Sequence, residues 1–581
     1  MTTAGNPKKR SDSNQGNWIR RDVLRGLALT VGGGALCVAL PGGAADAETA
    51  PAGYPAIASP AGDSISASNA EPTVEIVSGK VRGYVRKGIY TFKGIPYADT
   101  TAGSNRFMPP QKPKPWTGLR SSMQFGNVCP QPARAGWAND EEAWLFSWND
   151  GVAGEDCLRV NLWTPGINDG KKRPVMVWLH GGGYTAGSGQ ELLSYDGENL
   201  SRRGDVVVVT LNHRLNVFGF LNLSKYGSQY QDSANVGMLD IVAALEWVRD
   251  NIANFGGDPG NVMIFGQSGG GGKVNTLMAM PAAKGLFHRA AVESGSLLNA
   301  STADDSAKLG AAVMQQLGLS ASQIDQIHDV PVEKLIQAGI AAVKSLAPPF
   351  RPGGAFRLPR IGWQPTVDGS NLPTQPYDPV APAMSAQVPL LVGTVLNEFA
   401  SALYDPTLST MTLDELKKRV KASYGDRAEH IIEVFRAAAP GVSPGEIMSR
   451  ISAAPVRQSA ITQAERQAAL GGAPVFNYWF CWQTPVLDRR PGAFHCSELS
   501  FVFDNTDRCA PMTGGGPGPR ALAAKVSDAW INLARHGDPN HSGLPHWPAF
   551  TADKCPTMIF DTECVMKDNP DGAERASLRE T

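Results

Sequence analysis

The stretch Ile264-Phe-Gly-Gln-Ser-Gly-Gly-Gly-Gly-Lys-Val274 sets a serine and four consecutive glycines in front of a lysine. Two kinds of site have this look, a phosphate-cradling P-loop and an elbow that presents a nucleophilic serine, and both lie between a buried strand and a helix. A P-loop needs Gly, four residues, then Gly-Lys-Ser/Thr, because backbone amides and a hydroxyl must meet phosphates and magnesium. Counting back from Lys273, the first position is Gln267 rather than Gly, and Val274 offers no hydroxyl. The elbow pattern Gly-x-Ser-x-Gly fits as Gly266-Gln267-Ser268-Gly269-Gly270. Its tight strand-to-helix turn admits only small residues two positions either side of the serine. The helix that follows aims its N-terminal amides and dipole at the site, where they favour a developing negative charge. Gly271 and Gly272 exceed what that chemistry requires. Each costs about 1 kcal/mol in a helix relative to Ala, which points to close helix-to-sheet contact or extra room behind the serine.

A nucleophilic serine also requires oxyanion donors, a base and an acid that orients the base. Gly181, Gly182 and Gly183, in "VWLHGGGYTAG", are candidate donors, since side-chain-free backbone can approach a reacting carbonyl closely. Apolar runs without alternation at 173–183, 205–214, 261–270 and 388–398 suit strands buried on both faces, as in a parallel sheet covered by helices. Residues 235–259 between them show helical spacing that ends at Gly256-Gly257. Short alternating runs from Pro72 onward predict an antiparallel hairpin start, and 300–350 and 410–470 predict helical insertions. The fold class is therefore α/β: a large, mostly parallel central sheet flanked by helices.

Lys and Arg (53) nearly balance Asp and Glu (54), so nothing suggests a nucleic-acid partner or a polybasic membrane surface. At the N-terminus Arg20 and Arg21 precede the apolar run 27–40, which contains three glycines, and Ala45 and Ala47 offer small residues for cleavage. This resembles a bacterial twin-arginine export signal. The run is shorter than the ~20 residues a membrane span needs, and Leu36 before Cys37 is too large for a usual lipoprotein site, so no stable anchor is expected. The expected organisation is a signal peptide at 1–47, a flexible leader at 48–72 and one domain at 73–581, in the periplasm or secreted. Seven cysteines follow the signal, with no pair at metal-ligand spacing, so neither a metal nor a cofactor is expected.

With these residues assembled, the chain resembles the type-B carboxylesterases, an α/β-hydrolase family. The likeness runs from about Gly79 to Asp561 and rests on "FKGIPYA", "GEDCLRVNLWTP", "HGGGY", "NHRLNVFGFL", "GQSGG", "NEFASAL" and "GAFHCSEL". The resemblance implies Ser268 as nucleophile, Glu398 as acid and His495 as base, with the amides of Gly182, Gly183 and Gly269 as oxyanion donors. It implies a disulfide between Cys129 and Cys157, and Ser294 as a serine supporting the triad from behind. The residues agree in part. The order Ser, acid, His is that of α/β-hydrolases, and Glu398 follows a buried strand at its carboxyl end, where such sheets place their sites. Asp405 is a rival acid in the same loop. His495 follows a Pro-Gly loop and precedes a strand-like run. His430 and His536 read as helix residues. Gln267 and Gly269 stand where the family usually has Glu and Ala, His213 replaces a usual Tyr, and Cys496 stands where glycine is common, either a buried thiol or a partner for Cys509.

The implied reaction is hydrolysis of a small-molecule carboxylic ester through an acyl-enzyme. Lipase or amidase activity would use the same triad, and some relatives of this fold are binding modules without catalysis. The loop between Cys129 and Cys157 carries Trp137, Trp144 and Trp148, which either wall a substrate gorge or pack the loop onto the body. Arg351, Arg357 and Arg360, with no acid among them, either rim the gorge or face solvent.

Overall fold

The run Arg173–Leu179 is buried at every position, and its side chains part into two cores. Val175, Val177 and Leu179 enter one hydrophobic cluster, while Met176 and Trp178 enter another on the opposite face. A strand with period-two side chains and both faces apolar can only lie inside a sheet covered on both sides. The computed structural model describes residues 64–132, 139–346 and 361–579, all within one compact unit, Ser59–Thr581.

The central sheet has twelve strands. In chain order these are β1 (Ile65–Ser66), β2 (Tyr84–Arg86), β3 (Ile89–Pro96) and β4 (Arg159–Thr164). Then come β5 (Arg173–Leu179), β6 (Val207–Leu211), β7 (Gly257–Gln267) and β8 (Arg289–Glu293). The last are β9 (Leu390–Val395), β10 (Val475–Phe480), β11 (Pro556–Phe560) and β12 (Val565–Asp568). Their spatial order follows the chain except that β6 lies between β4 and β5. Pairings from β1 to the β4–β6 contact are antiparallel, those from β6 to β11 parallel, and β12 closes the far edge antiparallel. This is the mixed α/β sheet expected, with its antiparallel start. The strands Thr73–Ile76 and Gly79–Arg82 form a further hairpin in a small separate sheet.

Four helices matter for the site: α1 (Asp140–Phe146), α2 (Val236–Asn251), α3 (Gly269–Ala279) and α4 (Pro444–Ala468). The helical insertion at 410–470 holds its own small core, in which Leu416, Ile431, Ile432 and Phe435 meet Ile447 and Ile451 of α4. Two expectations change. The leader was expected to run flexibly to residue 72, yet Ile65 and Ser66 pair with Arg86 and Val85; an open sheet edge presents amides and carbonyls that accept an extended segment whatever its side chains. The strand-like run after His495 is instead a short helix, Leu499–Val502. It is buried on all sides, so its apolar pattern carries no period that separates helix from strand. The signal at 1–47 lies outside the described residues. Among those described, no helix is long and apolar enough to cross a membrane.

Candidate active site

Strand β7 ends at Gln267 and α3 begins at Gly269, so Ser268 carries the whole turn. Its backbone takes φ 58° and ψ −126°, a conformation that costs a serine about 1–3 kcal/mol and persists only where its surroundings impose it. Its amide donates to the Glu293 carbonyl at 2.8 Å and its carbonyl accepts from the Gly272 amide at 3.1 Å. The glycines are required by contact. A Cβ on Gly266 would stand 2.6 Å from the carbonyl carbon of Gly270, and one on Gly270 would stand 2.0 Å from the Leu179 oxygen. The two surplus glycines are explained as well: a Cβ on Gly271 would meet Gly295 Cα at 2.9 Å, and one on Gly272 the Tyr184 hydroxyl at 2.5 Å. Close packing, not spare room, accounts for both.

Glu398 follows β9, and its backbone bridges to Phe494 so that the His495 amide donates to the Glu398 carbonyl at 3.0 Å. The two side chains meet directly. His495 Nδ1 donates to Glu398 Oε2 at 2.5 Å, while Glu398 Oε1 accepts from the Val395 amide at 3.1 Å. With its proton on Nδ1, the imidazole presents Nε2 as an acceptor. Asp405, the rival acid, is engaged elsewhere, capping the turn at Thr407 and pairing with Arg419 at 2.6 Å.

Three residues pack around the His495 ring in contacts that were not anticipated. The Phe399 ring lies 3.8 Å from the imidazole, centroid to centroid, at 33°. Gln267 Nε2 lies 3.0 Å from Nε2 and 3.3 Å from Nδ1 of His495, so its amide rests against the ring between both nitrogens. The Cys496 thiol donates in turn to Gln267 Oε1 at 2.9 Å. Adjacency to Glu398, Ser268 and His495 was one signal for them, and for Gln267 and Cys496 their departure from the family's usual residues was another.

Gly182 and Gly183 occupy left-handed backbone at φ 84° and 58°. Among the described residues, neither of their amides donates to a protein acceptor. Gly183 comes so near the start of α3 that a Cβ on Gly269 would stand 2.5 Å from its nitrogen. The three expected donors are thus neighbours, at the positive end of a helix. Deep burial raises the carboxyls of Glu293 and Glu191 to about 8 and pushes that of Glu498 up as well.

Ser268, His495, Gly182, Gly183 and Gly269 line a single cavity of about 890 Å³. Phe146, Trp148, Leu192, Tyr195, Trp363 and Tyr404 supply much of its apolar wall. Of the gorge tryptophans, Trp148 reaches the cavity, whereas Trp144 is 52% exposed and does not; α1 turns Leu145 and Phe146 inward and Trp144 outward. Trp137 and the arginines at 351, 357 and 360 lie outside the described residues. Ser294 lines the cavity at φ 47°, but its hydroxyl bonds to no triad side chain. His213 is a core residue, stacked on His180 at 5.1 Å, and burial holds its pKa well below the usual histidine value. The disulfide implied by resemblance is not formed. Cys129 and Cys157 are buried free thiols; Cys129 Sγ accepts from the Leu215 amide at 3.2 Å and donates to the Pro130 carbonyl at 3.6 Å instead of bonding to Cys157. Cys496 and Cys509 are free also.

The profile of the carboxylesterase family matches residues 70–577. The chain belongs to the carboxylesterase family. It is a carboxylic ester hydrolase with the α/β-hydrolase fold. Among its relatives, the para-nitrobenzyl esterase of Bacillus subtilis is 35% identical over 507 residues, covering 86% of this chain and 97% of that one. The phenmedipham hydrolase of Pseudarthrobacter oxydans is 32% identical over 499 residues, covering 85% and 95%. A solved esterase from Clostridium hathewayi that can hydrolyze aliphatic aromatic polyesters superposes with a TM-score of 0.75 at 36% identity, covering 87% of this chain and 97% of that one. In this carboxylesterase the elbow and the glycine loop meet on the cavity at the carboxyl ends of β5 and β7.

Proposed function

We propose that this carboxylesterase cleaves esters through a Ser268–His495–Glu398 triad. Ser268 Oγ attacks the ester carbonyl while His495 Nε2 takes its proton. Glu398 stabilises the imidazolium and keeps its orientation. The amides of Gly182, Gly183 and Gly269 receive the tetrahedral oxyanion. His495 returns the proton to the leaving alcohol, then takes one from water as it attacks the acyl carbon, and passes that proton to Ser268 Oγ as the acid is released. The observation that carries this reading is the 2.5 Å His495–Glu398 contact beside the strained elbow of Ser268. Ser268→Ala tests it: turnover should fall by at least about three orders of magnitude with the fold intact.

The cavity is of ordinary small-molecule size, and its aromatic wall suits esters with an apolar acyl or alcohol group. Esters of the kinds named for the relatives, para-nitrobenzyl and aliphatic aromatic ones, are the first to try. We further propose export, on the strength of Arg20-Arg21 before a glycine-softened apolar run. In an oxidising compartment the adjoining Cys129 and Cys157 would close into the implied bridge. Cell fractionation with and without Arg20→Lys/Arg21→Lys checks the export.

A further inference from the structure

Lys273 lies on α3 one turn beyond the elbow, with no exposed surface. Its ammonium turns away from solvent and donates to the His180 carbonyl at 2.7 Å, with a longer contact of 3.5 Å to the Gly181 carbonyl. The Gly181 carbonyl also lies 3.0 Å from His180 Nδ1. That carbonyl belongs to the same peptide unit as the Gly182 N–H. Donors drawing density onto the oxygen of a peptide make its N–H a stronger donor, and they fix the peptide plane.

We propose that Lys273 is a positioning residue for the oxyanion loop, holding and polarising from behind the peptide whose Gly182 N–H faces the reacting oxygen. The inference rests on the reading of Gly182 as an oxyanion donor. It accounts for a lysine at a fully buried position, where an apolar residue is the rule, and for why Gly269 and Gly270 must let the loop approach so closely. Lys273 reaches the reaction only through the loop and does not touch substrate.

The groups facing the ammonium are His180 and Tyr184 on the loop, Glu191 beyond it and His213 of the neighbouring loop. Burial lowers Lys273 to about 7, with Glu191 opposing that shift. Burial and the lysine together hold His180 well below the usual histidine range, so the charge behind the loop belongs to Lys273. As pH rises through the lysine value the charge is lost although an N–H can still donate. The profile of kcat/KM, which reports groups of the free enzyme, should therefore fall on its alkaline side.

The test uses the full chain with Lys273→Met and Lys273→Gln, p-nitrophenyl acetate as substrate and diethyl p-nitrophenyl phosphate as a reagent that forms a tetrahedral adduct on the serine. The Met variant should lose about tenfold to a hundredfold in kcat with KM within about twofold, as for a weakened oxyanion donor. Its phosphorylation rate should fall in step. Gln, which keeps a donor without the charge, should recover part of the loss, and both variants should lack the alkaline limb. A folded Met variant with kcat within about twofold of the parent, or with its loss confined to KM, overturns the inference. If Met does not fold, the Gln variant and the parent profile decide, and a parent kcat/KM flat from neutrality to pH 10 overturns it. Neither result bears on the triad, whose failure would be read from Ser268→Ala.

Discussion

His495 and Glu398, 97 residues apart in the chain, share a 2.5 Å hydrogen bond between two almost fully buried side chains. The bond exists because Glu398 leaves β9 and its backbone pairs with the segment Phe494-His495. Orientation of the His495 ring is thus built by strand-like pairing, and the carboxylate completes it.

Glu398→Gln should leave that pairing intact while removing the charge that stabilises the imidazolium. Turnover is expected to fall by about 10²- to 10⁴-fold with KM little changed. Asp405→Asn, on the half-buried rival acid paired with Arg419, should leave kcat within about twofold. Steady-state kinetics on the two variants separate the acids, and the reverse ranking contradicts the assignment.

Gly269→Ala places a Cβ 2.5 Å from the Gly183 nitrogen. Although Ala is the family's usual residue there, in this chain the loop lies so close that it must retreat, so kcat should fall about tenfold or more for loss of donor alignment. Gly271→Ala should act on stability instead. Its Cβ meets the Gly295 backbone at 2.9 Å, and overpacking costs about 1–3 kcal/mol, more than the ~1 kcal/mol gained from helix propensity. Denaturant titration of both variants, with kcat measured alongside, shows whether the effects divide this way.

The elbow and the buried strands were legible in the sequence because each rests on local chemistry, whereas Glu398 and His495 were singled out by the resemblance. A glycine that must clear a neighbouring turn and a run of Val and Leu buried on both faces leave marks at fixed spacing. Phe399, Gln267 and Cys496 were not legible as neighbours of His495, since their contacts depend on how three loops meet. Nothing in the spacing of Lys273 shows that the glycine loop covers it. Trp144 and Trp148 looked alike until α1 fixed which of them faces the cavity.

Glu293 is fully buried, accepts from Trp530 Nε1 at 2.7 Å and titrates near 8. An acid raised on folding binds more protons in the native state between its unfolded value, about 4.3, and its folded one. Its stability contribution is complete below the unfolded value and declines as pH rises toward about 8. Glu293→Gln keeps an acceptor for Trp530 and removes the titration. Its Tm should therefore fall less between pH 5 and pH 8 than the parent Tm does, and an identical or steeper fall would remove Glu293 from the account.

Trp148 faces the cavity and Trp144 faces solvent. Trp148→Ala should alter kcat/KM for bulky aromatic esters by about tenfold relative to acetate esters, a pocket-sized effect. Trp144→Ala should leave the ratio unchanged. An ester panel run on both variants gives the answer, and equal responses would show that the loop acts by packing alone.

The central claim is that the ester's acyl group passes through Ser268. Incubation with a fluorophosphonate, followed by peptide mass mapping, tests it most directly. A single adduct on the peptide containing Ser268, lost together with hydrolysis in Ser268→Ala, is the expected result. An adduct elsewhere, or comparable hydrolysis by the variant, would contradict the account.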